Sequence, residues 1–408
     1  MYFPNCRPGM IMISRNSCLS SLLILFLTAG PLGASAYQVL AIGATEVCTS
    51  GGLVVTACPI ASRVGADILR NGGTAADAAV AVGFALAVTY PPAGNIGGGG
   101  FMLLRSSSGN CEFVDFRERA PAAASMDMYL DENGDVIKDL SIYGHKAVGV
   151  PGTVAGLHSV YTDHCMLQWK DLIAPAISLA GDGFVVSDHL ARYFARLDKY
   201  ISEFEGLGVF NGRDGEVVQA GDTLRQPDLA RTLQRISDRG LDGFYSGVTA
   251  DLICKEMERG GGLITREDLD LYEARIREPV FGSYRGHRII SAPPPSSGGA
   301  VLIEILNIIE GYPLSQYGFL SPEAVHIVIE AERRAYRDRA LFLGDPDFVD
   351  NHVSTIISKG YAEQLRSDIK QAASRSDSLG RFGVEYFESE ETTHYSIIDA
   401  DGNVALST

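Results

Sequence analysis

The stretch 391–408, Glu-Thr-Thr-His-Tyr-Ser-Ile-Ile-Asp-Ala-Asp-Gly-Asn-Val-Ala-Leu-Ser-Thr, carries the reading of the whole chain. His394 to Asp399 and Val404 to Thr408 are β-like runs, and Ala400-Asp401-Gly402-Asn403 between them is a hairpin signal. Just upstream, residues 366 to 391 are polar and charged and end in Glu388-Ser389-Glu390-Glu391, so they read as an exposed loop. Thr392 therefore stands where a loop meets the first strand of a new sheet, which is where a self-cleaving nucleophile would lie. A threonine hydroxyl needs an adjacent base. If the Glu391–Thr392 bond were cut, the freed α-amino group, with a reference pKa of about 7.7–8.0, would supply that base. The restricted χ1 of threonine would help hold its Oγ1 in place. The residues alone leave a plainer alternative open, since Thr-Thr at a strand start is also ordinary β-propensity. A two-stranded hairpin is marginal by itself, so this ending suggests an interrupted sheet.

Working back from that hairpin, apolar spacing predicts a helix over 60–71, stopped by Asn71-Gly72-Gly73, and a second over 74–89. The second is almost entirely Ala, Val, Phe and Leu, and a helix apolar on every side belongs inside a protein. It ends at Pro91-Pro92 and runs into Gly94 to Gly100 (GNIGGGG), where the glycines read as a close-packing device. Phe101 to Arg105 and Glu112 to Glu118 then read as a hairpin. From 150 to 275 the pattern is mostly helical, with amphipathic stretches near 168–182, 226–239 and 247–259. A strand at His287 to Ser291 leads through Pro293-Pro294-Pro295-Ser296-Ser297-Gly298-Gly299 into an apolar helix near 300–310. A long helix follows from Pro322, capped by Ser321 and ending near Gly344-Asp345-Pro346. No internal repeat occurs, which argues against solenoids and propellers.

With 408 residues, 46% hydrophobic and 21% charged, the chain can bury a large core as one domain or two packed ones. Residues 1–36 read as a secretory signal: Arg7 and Arg15, an apolar run from Leu19 to Leu27, and Ala34-Ser35-Ala36 as a small-x-small cleavage site. Met10 or Met12 could be the true start. The apolar run is shorter than the roughly 20 residues that span a bilayer. Removing the leader takes the net charge from −16 to −18, since it holds two arginines and no acid. Such a surface repels polyanions and sets nucleic acid and anionic membrane aside as partners. Five cysteines then remain without a CxxC pair, so neither a zinc site nor a thioredoxin-type motif is expected. In an oxidising compartment Cys48 and Cys58 could bridge. The absence of an N-x-S/T sequon mildly favours a bacterial envelope. HExxH, G-x-S-x-G, GxxxxGK[ST] and GxGxxG are all missing, which takes weight from the zincin, α/β-hydrolase, P-loop and Rossmann readings.

Seven segments in order, GNIGGGGFML (94–103), DFRERAP (115–121), PGTVAG (151–156), GGLITREDL (261–269), PPPSSGG (293–299), GDPDFV (344–349) and TTHYSIID (392–399), resemble the γ-glutamyltranspeptidase family. The resemblance covers the chain from about residue 39 to 408. It implies an α+β fold, the αββα sandwich of N-terminal-nucleophile hydrolases, made as one precursor that cuts itself between Glu391 and Thr392. Residues 37–391 would be the large subunit and 392–408 the start of the small one. Thr392 would be the catalytic nucleophile that takes the γ-glutamyl group of glutathione and related amides and passes it to water, amino acids or peptides. Arg117 matches the arginine that binds the substrate α-carboxylate, a task suited to a planar guanidinium. Its alternative is an internal ion pair with Asp115 or Glu118. Glu118 would orient Arg117, and the Pro293–Gly299 motif would form a packed turn near the site. His394 reads as structural, and neither Ser407 nor Thr408 is assigned the role of supporting the nucleophile. No cofactor or metal is implied, and the setting is periplasmic or extracellular. The family's small subunit continues well past this point. The expectation is therefore a sheet with unpaired edges, a half-built site and no activity from this chain alone. The other readings are a non-catalytic large-subunit-like chain and a related N-terminal-nucleophile acylase.

Overall fold

The computed structural model describes residues 49–201, 205–211, 216–375, 379 and 392–408. In chain order the regular elements begin β1 (Leu53–Val55), α1 (Pro59–Arg70), α2 (Ala75–Thr89), β2 (Phe101–Arg105), β3 (Cys111–Asp115), α3 (Thr153–His164), α4 (Trp169–Asp182), β4 (Phe184–Val185), α5 (Asp188–Ile201), β5 (Thr223–Leu224), α6 (Pro227–Arg239), α7 (Gly247–Gly260) and α8 (Arg266–Asp270). They continue with β6 (Arg275–Arg277), β7 (Val280–Tyr284), β8 (His287–Ser291), α9 (Gly298–Glu310), α10 (Leu314–Tyr317), α11 (Pro322–Phe342), α12 (Val353–Ile356), α13 (Lys359–Ser367), β9 (Tyr395–Ile398) and β10 (Val404–Ser407).

The C-terminal hairpin is not left with bare edges. It lies inside a six-stranded antiparallel sheet of order β1-β9-β10-β2-β3-β6. β1 covers the outer side of β9, with Leu53 opposite Ile398, and β2 covers β10, with Leu103 opposite Leu406. The hairpin's partners lie more than 290 residues earlier in the chain, where no local pattern announces them, and the open edges of the sheet fall on β1 and β6.

The sheet packs on α2, whose residues other than Gly83 are all buried. Thr74 caps this helix in a reciprocal box with Asp77, whose carboxylate also accepts from the backbone N–H of Leu167 at 2.9 Å. The hairpin is tied to the same helix end. Asp399 Oδ2 accepts from Ala75 N at 3.0 Å, while its Oδ1 closes the turn by accepting from Asn403 N at 2.9 Å. One turn further along α2, Tyr395 donates its hydroxyl to Ala79 O at 3.1 Å. These ties fix where β9 begins. α1, α3 and α4 flank α2, and Cys58 is a free thiol buried there, 3.4 Å from Thr89 Oγ1. Cys48 and the leader lie outside the described residues.

A second unit is built on the two-stranded sheet β7-β8, covered by α9, which packs on α11, α12 and α13. Its apolar centre, around Ile308, Ile327 and Ala331, adjoins fully buried charged residues: Glu304, Glu330, Arg334 and Asp338. Arg277 on β6 links the two units. Its Nε donates to Asp115 of β3 at 2.7 Å and its Nη1 to Asp347, beyond α11, at 3.1 Å.

Candidate active site

Thr392 is exposed at the head of β9, and it lines a cavity of about 200 Å³ together with Asn95, Glu118, Thr153, Ser407 and Thr408. Three segments close on this point. The first is the glycine loop between α2 and β2. Asn95 Oδ1 gathers it by accepting from Gly98 N at 2.9 Å and from Thr153 Oγ1 at 2.6 Å, while Gly98 O receives Gly152 N at 2.7 Å. A Cβ on Gly99 would stand 2.6 Å from Phe116 O, and one on Gly152 would stand 2.1 Å from the same carbonyl. Backbone passes backbone here too closely for any side chain, so the loop glycines serve close packing.

The second segment is the end of β10. Phe101 N donates to Thr408 O at 2.8 Å and Ser407 Oγ donates to Phe101 O at 2.9 Å, so the hydroxyl-bearing strand end is pinned to β2. His394 stands between hydroxyls, Nδ1 at 2.6 Å from Thr408 Oγ1 and Nε2 at 3.1 Å from Ser396 Oγ. Burial lowers its pKa from the ordinary imidazole value, which favours the neutral ring that can both donate and accept in such a bridge. Thr393 turns its Oγ1 inward, where it is buried without a partner.

The third segment follows β3. Arg117 is exposed; its backbone N–H donates to Asp115 Oδ1 at 3.1 Å and its carbonyl accepts the Tyr272 hydroxyl at 2.8 Å. The guanidinium lies 6.0 Å from the centre of the Phe101 ring. The internal ion pair weighed as an alternative is not formed with Asp115, whose carboxylate is taken by Arg277. Glu118 rather than Arg117 stands on the cavity wall.

The Pro293–Gly299 motif is not on that wall. It makes the turn from β8 into α9, where a Cβ on Gly299 would meet Ala292 O at 2.1 Å. Glu391 lies outside the described residues. Sequence reasoning passed over Asn95 and Thr153. The signal available was a single polar side chain set within a run of glycines, but nothing local connects it to a threonine 58 positions later. Among the described residues no group of three His, Cys, Asp or Glu side chains could hold a metal ion.

The family model described as gamma-glutamyltranspeptidase matches residues 61–408. The chain is 47% identical over 384 residues to the glutathione hydrolase proenzyme of Pseudomonas sp. (strain A14), which covers 94% of this chain and 67% of that protein. It is 46% identical over 362 residues to the proenzyme of the same description from Escherichia coli (strain K12), covering 88% and 62%. The chain thus spans about two thirds of the length of the curated relatives it matches. Among solved structures, the gamma-glutamyltranspeptidase of Helicobacter pylori superposes with a TM-score of 0.80 at 41% identity, covering 85% of this chain and 100% of that one. The cephalosporin acylase of Bacillus halodurans superposes with a TM-score of 0.77 at 28% identity, covering 88% and 65%.

Fold and site together define an N-terminal-nucleophile hydrolase of the αββα class, in which a threonine opens a strand of the main sheet. Within that class, the chain belongs to the γ-glutamyltranspeptidase family.

Proposed function

We propose that this chain is the precursor of an enzyme that hydrolyses glutathione and other γ-glutamyl amides or transfers their γ-glutamyl group to amino acids and peptides. The observation that carries the reading is Thr392, which heads β9, lines a cavity and stands at the family's TTHYSIID motif. In the first step Thr392 Oγ1 attacks the Glu391 carbonyl carbon, and the C–N bond gives way to an ester. Water then hydrolyses the ester, leaving a Glu391 carboxylate and a free α-amino group on Thr392. That amino group takes the hydroxyl proton as Oγ1 attacks the γ-amide of the substrate, and the proton passes to the departing amine. Water or an acceptor amine releases the glutamyl group from the ester. Residues 37–391 and the chain starting at 392 remain paired, export removes the leader near Ala36, and the enzyme works in the periplasm or outside the cell.

Arg117 binds the donor's α-carboxylate, and Glu118 faces the same cavity. In support, the Arg117 guanidinium is exposed and Asp115 is engaged by Arg277. This favours the glutamyl reading over the acylase one, which the 39% identity to the acylase ACY 1 proenzyme of Pseudomonas sp. (strain SE83) keeps in view. Intact mass spectrometry, combined with turnover of a γ-glutamyl anilide, tests the proposal. A break before Thr392 that is lost in Thr392→Ala is the expected result, and an uncut wild-type chain would overturn it. In the enzyme that carries the rest of the small subunit, Arg117→Gln should raise KM for the γ-glutamyl donor about 10- to 100-fold, the weight of hydrogen bonds to a charged group. An unchanged KM would favour the acylase.

A further inference from the structure

Glu304 on α9 and Asp338 on α11 are both fully buried where the two helices pack on each other, and Asp338 is the side chain that acts most on Glu304. The two are supplied very differently. Asp338 receives Arg337 Nε at 2.7 Å and the Tyr361 hydroxyl of α13 at 2.6 Å. Glu304 has no hydrogen-bond donor on either oxygen. An ionised carboxylate is an acceptor only, so two of them cannot bond to each other; a bond between them needs a proton on one. An isolated buried carboxylate also costs far more than its neutral form.

We propose that Glu304 is a carboxylic acid across the neutral range and donates its proton to Asp338, making a proton-dependent joint between α9 and α11 that alkali opens. The charges acting on Glu304 are Asp338 and Arg337 of α11, and Tyr361 of α13 meets it through Asp338. On the other sides, β7 presents Gly282 to Ile303, α12 leads to Ile357 O, which accepts from Asn307, and Arg366 of α13 binds Asn307 O. Burial, and then Asp338, push the Glu304 pKa up. The folded state therefore keeps a proton that the unfolded chain releases above about pH 4.3, and stability falls as pH rises from there towards the folded-state value. One joint opening would free more than two helices. One and two turns before Asp338 on α11, Arg334 and Glu330 grip Ser374, whose N–H donates to Glu330 Oε1 at 3.0 Å. Ser374 precedes the segment that leads to Thr392.

The test is thermal unfolding of the full chain and of Glu304→Gln at pH 5 to 9. The amide keeps a donor towards Asp338 but cannot titrate. The variant should gain on wild type with rising pH, by up to about tenfold in the folding equilibrium constant per pH unit. Asp338→Asn, which lets Glu304 ionise against a donor amide, should flatten the same slope. If Glu304→Gln does not fold, difference infrared spectroscopy of wild type decides, since a protonated-carboxyl band at pH 7 that is lost on alkalinisation is expected. A wild-type–variant difference independent of pH, or a wild type without that band, would overturn the proposal. Asn307 Oδ1, one turn along α9, also lacks a donor, so a cation is the competing occupant. Stabilisation of wild type but not Glu304→Gln by sodium or calcium ions would equally overturn it.

Discussion

The two halves of this molecule solve burial in opposite ways. Around α2 the interior is a helix of Ala, Val, Phe and Leu laid on the six-stranded sheet, and its buried polar groups are confined to caps and ties such as Asp77 and Asp399. Around α9 and α11 the interior admits four charged or titratable side chains: Arg334 and Ser374 donate to Glu330, Tyr361 donates to Asp338, and Glu304 has no donor on either oxygen. The first arrangement draws its stability mainly from area removed from water. The second draws it from matched partners. Removing one partner there leaves a buried charge uncompensated, and each carboxyl adds a pH signature. The six-stranded sheet that carries Thr392 belongs to the first kind.

Phe84→Ala sharpens this comparison most. Phe84 is fully buried in α2 and stacks edge-on against Trp169 with ring centres 5.5 Å apart. Truncation should cost about 3–5 kcal/mol, by the same amount at pH 4 and pH 8 when measured by urea unfolding. Glu330→Gln should behave otherwise. Burial works to raise the Glu330 pKa, but its bonds to Ser374 and Arg334 outweigh that and hold it at about 2. A depressed carboxylate pKa contributes above the unfolded value and is lost as pH falls through the folded one. The substitution should therefore cost on the order of 3 kcal/mol at pH 7 and almost nothing near pH 2. An equal cost at both ends would break the comparison. Thr74→Ala should show the smallest effect, about 0.5–2 kcal/mol. Asp77 would keep its bonds to the 166–167 backbone, so the loss should show as a small drop in Tm by thermal unfolding.

The pattern of apolar residues was enough to place α1, α2, α4, α6, α7 and α11 within a residue or two, because a helix reports its period locally. The hairpins β2–β3 and β9–β10 were legible for the same reason, from turn residues between alternating runs. α3 and α13 fell inside stretches without clear periodicity. The buried charges of α9 and α11 look like solvent-facing residues in a one-dimensional pattern. Their burial became visible only when α13 and Ser374 closed over them. The Pro293–Gly299 motif, expected as a packed turn near the site, makes the turn into α9, where Gly299 stands too close to Ala292 for a side chain.

By itself the sequence determined the loop-to-strand junction at Thr392 from local pattern, and the class of fold, the candidate nucleophile and Arg117 through its resemblance to a known family. Both rest on short ordered segments that can be read from near neighbours. Tertiary structure alone decided that the last hairpin sits inside its sheet, that Asn95 and Thr153 share the cavity of Thr392, and that Glu304 meets Asp338. Each of these is a pairing across tens to hundreds of residues. Such pairings are set by which surfaces can be buried together, and a linear pattern records the surfaces without recording their partners.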